Sequence, residues 1–464
     1  MARPRDERQK DLLKPALDQI INLGHPMVRL AGLIDWDFLH TRFSSVCIPG
    51  AGQPPLPSRL VAGLFILKHM HNLSDEVLCA RWVENPYYQF FCGEESFQHA
   101  APFDRSSLTR WRQRLGEEQL VALIQESLSA AHKTGAMASK DLERVVVDTT
   151  VQPKAIAHPT DARLMHRALE KLVALAKDAG LPLRQSYARV AKRAAIMVGR
   201  YSHAHQFKRA RRALKFLRTR LGRIIRDIHR KIAGDDALKA RFGPLLDLAL
   251  RVRFQDHRQR GHKVYALHAP EVECIGKGKA RAPYEFGCKV SVATPPHPAQ
   301  GRPVCPSCAG GARQSRSLSP GRPEAGPGGW AHSRPGRRQD READRCRDPP
   351  HSRRQELAPA KAGGYRGYNH PHKFRVWISG QVRRVTKTIR REMKRRAAVE
   401  PVIGHLKAEH RLGRNYLKGR DGDRINAVLA AAGYNFSLLL RWLETLLRAL
   451  ITMLVNSDLR TQIA

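Results

Sequence analysis

The sequence predicts an α+β chain dominated by helices, and three observations predict it. Apolar residues recur at helical spacing through residues 1–140 and again through about 155–255, three consecutive valines break that period at 145–147, and a long helically spaced apolar stretch runs through 425–455. The chain has 464 residues, enough for several domains, and 42% of them are hydrophobic, which excludes a wholly disordered chain.

Residues 1–140 read as a helical N-terminal domain. Leu60, Leu64, Phe65 and Leu67 make an apolar face, and Ser74 is placed to cap a helix that opens with Asp75 and Glu76. A short helix over Leu108–Leu115 follows, capped by Asp104 or Ser106, with Arg110, Arg112 and Arg114 around Trp111. Such a helix suits either a DNA groove or a solvated basic face around a core tryptophan.

From Val145 the period changes. Val145, Val146 and Val147 lead into Asp148, Thr149 and Thr150, the profile of a buried strand that ends at its carboxylate. Helical signals resume from Asp161 to Leu250, where Ala210, Leu214, Leu217, Leu221, Ile224 and Ile228 keep one stripe. The opposite face carries Arg209, Arg212, Lys215, Arg218, Arg226 and further basic residues. A face of like charges without acidic partners repels itself unless an anion neutralises it, and DNA phosphate is a suitable anion. Lys263–His268 and Glu285–Ala293, separated by a turn around Gly276 and Gly278, read as a hairpin beside the first strand.

Charge narrows the partners. Lys plus Arg number 82 against 42 Asp plus Glu, a net charge of +40, and nucleic acid is the commonest partner for such an excess. The alternatives on charge alone are a ribosomal-type or a membrane-surface role. The eight cysteines form no disulfide-like framework and the first residues hold no apolar signal stretch, so a cytoplasmic location is expected. Asn426, Asn435, Arg441, Glu444 and Arg448 interrupt the last apolar run before the roughly 20 residues a bilayer needs, so a core helix is expected and no membrane partner. Cys305 and Cys308 imitate half a zinc site without its second pair.

Residues 295–363 differ abruptly from their surroundings. Arg, Pro, Gly, Ser and Ala dominate, and Ile, Phe, Tyr and Met are missing. Such a segment is expected to be disordered, and its sharp edges are those of a compensated pair of frameshifts. Residues 364–464 regain folded texture, with a strand-like Phe374–Ile378 and then helices.

Two carboxylates carry the candidate chemistry. Asp148 is placed where a rigid sheet holds a carboxylate against a metal ion. Pro401 suits a first helical turn, which leaves Glu400 at the cap and puts Glu400 and Lys407 two turns apart on one face. The plainer readings are a strand ending in an Asp turn and a surface pair at i, i+7.

The spacing Arg396-x3-Glu400-x6-Lys407 resembles the C-terminal signature of DDE transposases from bacterial insertion sequences, with Met393 where that family usually has Tyr. Asn72–Glu76, Val83–Gly93, Ser107–Arg112 and Ala398–His410 resemble the IS-five group of these enzymes, so the likeness covers most of the chain outside 295–363. The resemblance implies an α+β chain in which a helical N-terminal domain, 1–140, is followed by an RNase H-like α/β catalytic domain. That domain would begin in 141–294, hold a basic helical insertion at about 155–255, and resume in 364–464. It further implies metal-dependent cleavage and transfer of DNA strands, with Asp148 and Glu400 as catalytic and metal-binding carboxylates for two Mg²⁺ or Mn²⁺ ions. Arg396 and Lys407 would contact DNA phosphates, joined by Arg110, Arg112, Arg209, Arg212 and Lys215. The implied partner is double-stranded DNA, both the inverted-repeat ends of the element and its target, bound by a homodimer. The family's middle carboxylate opens an Asp-Lys-Gly-Tyr-Arg-Gly stretch, and here Gly364–Gly367 is preceded by Ala362 and Gly363, so Ala362 takes the Asp position and impaired cleavage is expected.

Overall fold

Eight α-helices form along the N-terminal region of the computed structural model, which describes residues 15–46, 56–256, 259, 261–276, 283–295, 377 and 385–463. They are α1 (Leu17–Ile20), α2 (Pro26–Leu33), α3 (Trp36–Ser44), α4 (Ser58–Met70), α5 (Asp75–Glu84), α6 (Pro86–Cys92), α7 (Arg105–Arg114) and α8 (Glu117–Lys133). Local chemistry starts and stops them. The side chains of Asp35, Ser74, Asn85 and Asp104 accept backbone N–H groups at four N-termini, Pro26 and Pro86 open α2 and α6, and Gly93 closes α6 in the left-handed region.

The expected face of α4 is buried, but so are Val61, Ala62 and Ile66 on its other sides, so α4 is a central helix and not an amphipathic one. Its cover comes from the far end of the chain. Helix α15 (Gly419–Ile463) packs along α4, α8 and α2, and its Val428, Ala431, Phe436 and Leu439 join Leu30, Leu64, Trp82 and Leu123 in one apolar cluster. The close approach occurs at Gly433, where a Cβ would lie 2.5 Å from the His69 Cβ and 2.6 Å from its carbonyl carbon. Among the described residues no helix is long and apolar enough to cross a membrane.

The sheet has three antiparallel strands in the order β1-β3-β2, with β1 at Val146–Pro153, β2 at Glu273–Gly276 and β3 at Tyr284–Thr294. Val146 pairs with Thr294 and Pro153 with Gly287. Two expectations change. Asp148 is the third residue of β1 and not its end, because the valine run only begins the strand and Val145 lies outside it, 46% exposed. Lys263–His268 is not a strand, and β2 takes its place beside β3. Val264, Ala266 and Leu267 are buried, the last two in succession and not in alternation, and the Gln255 side-chain amide takes both the N–H and the C=O of Val264, which removes the groups a ladder would need.

Between β1 and β2 the chain forms α9 (Asp161–Asp178), α10 (Ala188–His203), α11 (Phe207–Ile232) and α12 (Asp236–Phe254). These four helices enclose their own core, with Leu169, Leu172, Leu217, Leu221, Ile228 and Phe242 among its members. The stripe expected on α11 is the stripe that it buries, with Leu214 only partly covered.

Residues Arg313–Ala397 form a second unit, apart from the unit of Met1–Ala312 and Ala398–Ala464. Its described part contains α13 (Lys387–Lys394) and most of a 3-10 turn, Arg395–Ala398. In the first unit α14 (Val399–Glu409) starts directly from that turn, so Glu400 is its second residue and not its cap. Residues 296–363, Ala362, Cys305 and Cys308 lie outside the described residues, as does the strand expected at Phe374–Ile378 apart from Trp377, which carries no regular structure.

Replacing Gly433 with Leu should lower the urea unfolding midpoint, with a cost of about 1–3 kcal/mol for forcing α15 off α4. Gly199→Ala on α10, where nothing lies within 4 Å of the added methyl, should raise it by about 0.5–1 kcal/mol.

Candidate functional site

Side chains alternate across a strand, so Asp148, Thr150 and Gln152 of β1 share one face with their register partners Val292, Val290 and Cys288 of β3. Val290 and Val292 belong to the apolar cluster that contains Val399 and Leu406 of α14, and α14 packs against both strands. The helix that opens on Glu400 therefore lies on the sheet face that carries Asp148. Asp148 is half-buried, and its Oδ1 accepts the N–H of Thr149 at 2.9 Å. Glu400 is exposed, one residue beyond the buried Val399. Lys407, two turns along, places its Nζ 3.6 Å from Glu285 Oε2 on β3, with the two side chains 23% and 24% exposed. Arg396 lies in the 3-10 turn of the second unit.

A buried polar network ties β1 to the start of α15 and to the loop that joins α14 to it, and of its members only Asn426 was named from the sequence. Lys154, just past β1, bonds Asp423 Oδ1 at 2.8 Å and Glu271 Oε1 at 3.0 Å. Asn415 donates to the same Asp423 oxygen at 2.6 Å, while its backbone N–H reaches the Pro153 carbonyl at 2.8 Å. Gln152 donates to the Asp423 carbonyl and accepts from Asn426. Burial pushes the Asp423 carboxyl up, against the pull of Lys154 and Asn415. The hydrogen bonds among Lys154, Gln152, Asn415, Asp423 and Asn426 fix geometry, because breaking any of them leaves buried polar groups unpaired, while Glu271 adds its charge beside Lys154. The signal was present: Thr150, Gln152 and Lys154 repeat at period two behind Asp148, a polar row on what became an inward face. From the other side, Asn72 donates to the Ala408 carbonyl at 3.0 Å, and His410 Nδ1 lies 2.8 Å from the His69 carbonyl.

The basic residues separate into two kinds. On α7, Leu108 and Trp111 are buried and Arg110 is exposed. Arg112 is 6% exposed and forks onto Asp75, at 3.0 Å to Oδ1 and 2.7 Å to Oδ2. Arg112 is thereby corrected from a DNA contact to a residue of the scaffold, since one turn of α7 aims it at α5. Burial alone would push Asp75 up, but Arg112 and Lys68 hold its carboxyl well below the usual range. Lys68 is itself lowered to about 8 by burial and by the nearby Arg112 charge.

On α11, Arg209, Arg212 and Lys215 are exposed, and Arg209 donates to Gln206 at 3.0 Å. This helix carries eleven Lys and Arg and a single acid, Asp227, which is already engaged by Arg230 and Lys231. Its outer face thus offers positive charge with no carboxylate of its own to cancel it.

Among the described residues no three His, Cys, Asp or Glu side chains come together in a group that could hold a metal ion. Hard divalent cations need several oxygen ligands, and Asp148 and Glu400 supply only two carboxylates. The described residues do not fit a two-metal centre, and the position expected for a middle carboxylate, Ala362, lies outside them.

A transposase-domain family, DUF772, matches residues 15–114, the span from just before α1 to the end of α7. A Rhizobium meliloti protein named "Uncharacterized protein ORF8 in nfe locus" is 54% identical over 199 residues, covering 43% of this chain and 96% of that protein. No solved structure matches the chain.

Arg112→Gln should cost about 2–3 kcal/mol in unfolding free energy by stripping Asp75 of its fork, whereas Arg110→Gln should leave stability unchanged. Because the folded Asp75 titrates below its unfolded value, its contribution is complete above about pH 4 and decays as the pH falls. Urea midpoints measured across that range should therefore fall less steeply for Arg112→Gln than for the wild type.

Proposed function

Because the chain belongs to a transposase-related family, we propose that it is a DDE-type DNA transposase of the IS-five group, with an RNase H-like catalytic domain, whose strand cleavage and transfer are impaired. The observation that carries this reading is the packing of α14, with Glu400 and Lys407, against the strand face that holds Asp148. A sheet with a helix packed on one face, its first strand locked to the start of α15 by a buried polar network, gives the rigid supports that a phosphoryl-transfer site requires.

In this reading the chain binds the inverted-repeat ends of its own element and then target DNA. Arg110, Arg209, Arg212 and Lys215 meet backbone phosphates from exposed helix faces, Lys407 holds the strand near Glu400, and Arg396 is a further phosphate contact. Lys407 exchanges the Glu285 carboxylate for a phosphate when DNA arrives. A homodimer follows from the need to bring two ends together, in a cytoplasmic, nucleoid-associated setting. Mg²⁺ or Mn²⁺ would supply activation of the attacking oxygen and stabilisation of the leaving one. Asp148 and Glu400 are two of the three carboxylates this needs, so no cleavage step is assigned to the chain.

A second reading, a DNA-binding remnant without catalysis, is favoured by the alanine at 362 and by the absence of a three-residue metal group among the described residues. The two are separated by incubating the full chain with duplex DNA bearing its gene's flanking ends, in Mg²⁺ or Mn²⁺, beside Glu400→Gln and Asp148→Asn. Under the proposed function, binding is salt-sensitive and weak specific nicking is lost in both variants. Binding with no nicking at all establishes the remnant, and no preference for the element's ends over unrelated duplex overturns both.

A further inference from the structure

An arginine cluster between α11 and α12 joins two residues of the basic face, Arg218 and Arg226, to one from the neighbouring helix, Arg253. Positions 218, 222 and 226 follow one another at i, i+4, and so form a line along α11. The middle one is glycine, and it is buried. Arg253, from the last turn of α12, lies across it: a Cβ at Gly222 would sit 2.6 Å from Arg253 Nε and 2.9 Å from its Cζ. The guanidinium therefore rests on the α11 backbone, with Arg218 one turn before it and Arg226 one turn after. On its other side Arg253 stacks on the Phe254 ring, 4.7 Å from the centroid.

These charges have no counterpart. Among the described residues none of Arg218, Arg226 and Arg253 makes an ion pair with a carboxylate, and the nearest acid in sequence, Asp227, is engaged elsewhere. The Nε donors of Arg218 and Arg253 are buried and donate to no acceptor. Burial, then the charges of Arg226 and Arg218, hold Arg253 below its ordinary value. Three like charges around buried, unused donors are unfavourable until an anion with several oxygens enters, and the planar forks of arginine match phosphate oxygens in geometry as well as charge.

We propose that Arg218, Arg226 and Arg253 converge over Gly222 to clamp one phosphate group, supplied by the backbone of duplex DNA lying along α11. The source of the phosphate rests on the transposase reading, while the clamp itself does not. Gly222 is the enabling residue, since any side chain there would displace Arg253.

The test uses the full chain with two probes, inorganic phosphate and duplex DNA carrying the element's ends. Phosphate should raise the thermal midpoint of the wild type in a dose-dependent way and leave Arg253→Gln and Arg226→Gln unmoved. DNA affinity should fall about tenfold in each, with the slope of log affinity against log salt reduced by about one. Lys171→Gln, the loss of an exposed charge on α9, should change the affinity less than threefold. Arg253→Lys, which keeps the charge but not the fork, should fall between. Equal behaviour of Arg253→Gln and Lys171→Gln with both probes overturns the clamp. A phosphate effect lost in Arg253→Gln while its DNA affinity matches Lys171→Gln overturns DNA as the source. If the wild type binds no DNA, the transposase reading fails, and the phosphate arm still decides the clamp.

Discussion

The contact on which the structure depends is the passage of α15 across α4 at Gly433. Only a residue without a Cβ lets the two backbones approach so closely at His69, and that approach seals a helix buried on all sides. From it follow the packing of α2 and α8 on α15 and the placement of the segment before α15, which the Asn415 backbone ties to the end of β1. Helix α14 is thus held between the N-terminal helices and the sheet, and the position of Glu400 is inherited from contacts that Glu400 does not make.

Asp148 and Glu400 are supported by different means. The first is fixed by strand pairing, an array of backbone bonds that a side-chain substitution hardly disturbs. The second stands on α14, which is held by the packing of Val399 and Leu406 against the sheet and by the Asn72 bond to Ala408, while Lys154, Gln152, Asn415, Asp423 and Asn426 fix the loop that follows and the start of α15 against β1. Changes in that network would loosen the loop after α14 and the start of α15 from β1 without touching either carboxylate.

What the sequence made legible was local chemistry. Ser74 and Asp104 cap their helices because a cap needs only its own next turn, and the α11 stripe is a matter of period. What it hid was tertiary. Arg110 and Arg112 are indistinguishable by spacing, and only the position of Asp75 sends one into the fold and leaves the other outside. The run Lys263–His268 imitates a strand, and a glutamine about ten residues earlier decides otherwise. For the candidate site, spacing named Asp148, Glu400 and Lys407 as residue types, but that they share one side of a sheet required the packing of α14. The polar row behind Asp148 was visible as letters and not as a network, because its partners are some 270 positions away.

The central core joins residues from Met27 to Met137 and two strand valines, Val290 and Val292, with residues from Val399 to Leu443, while the four-helix body closes from the contiguous stretch 162–267. During synthesis the latter is complete long before the former. The N-terminal helices leave the ribosome first and wait, with α4 uncovered, until nearly the whole polypeptide has been made. A message cut short after the four-helix body but before α15 would therefore yield a product with one sound helical body and one apolar surface left bare, a substrate for chaperones and proteases.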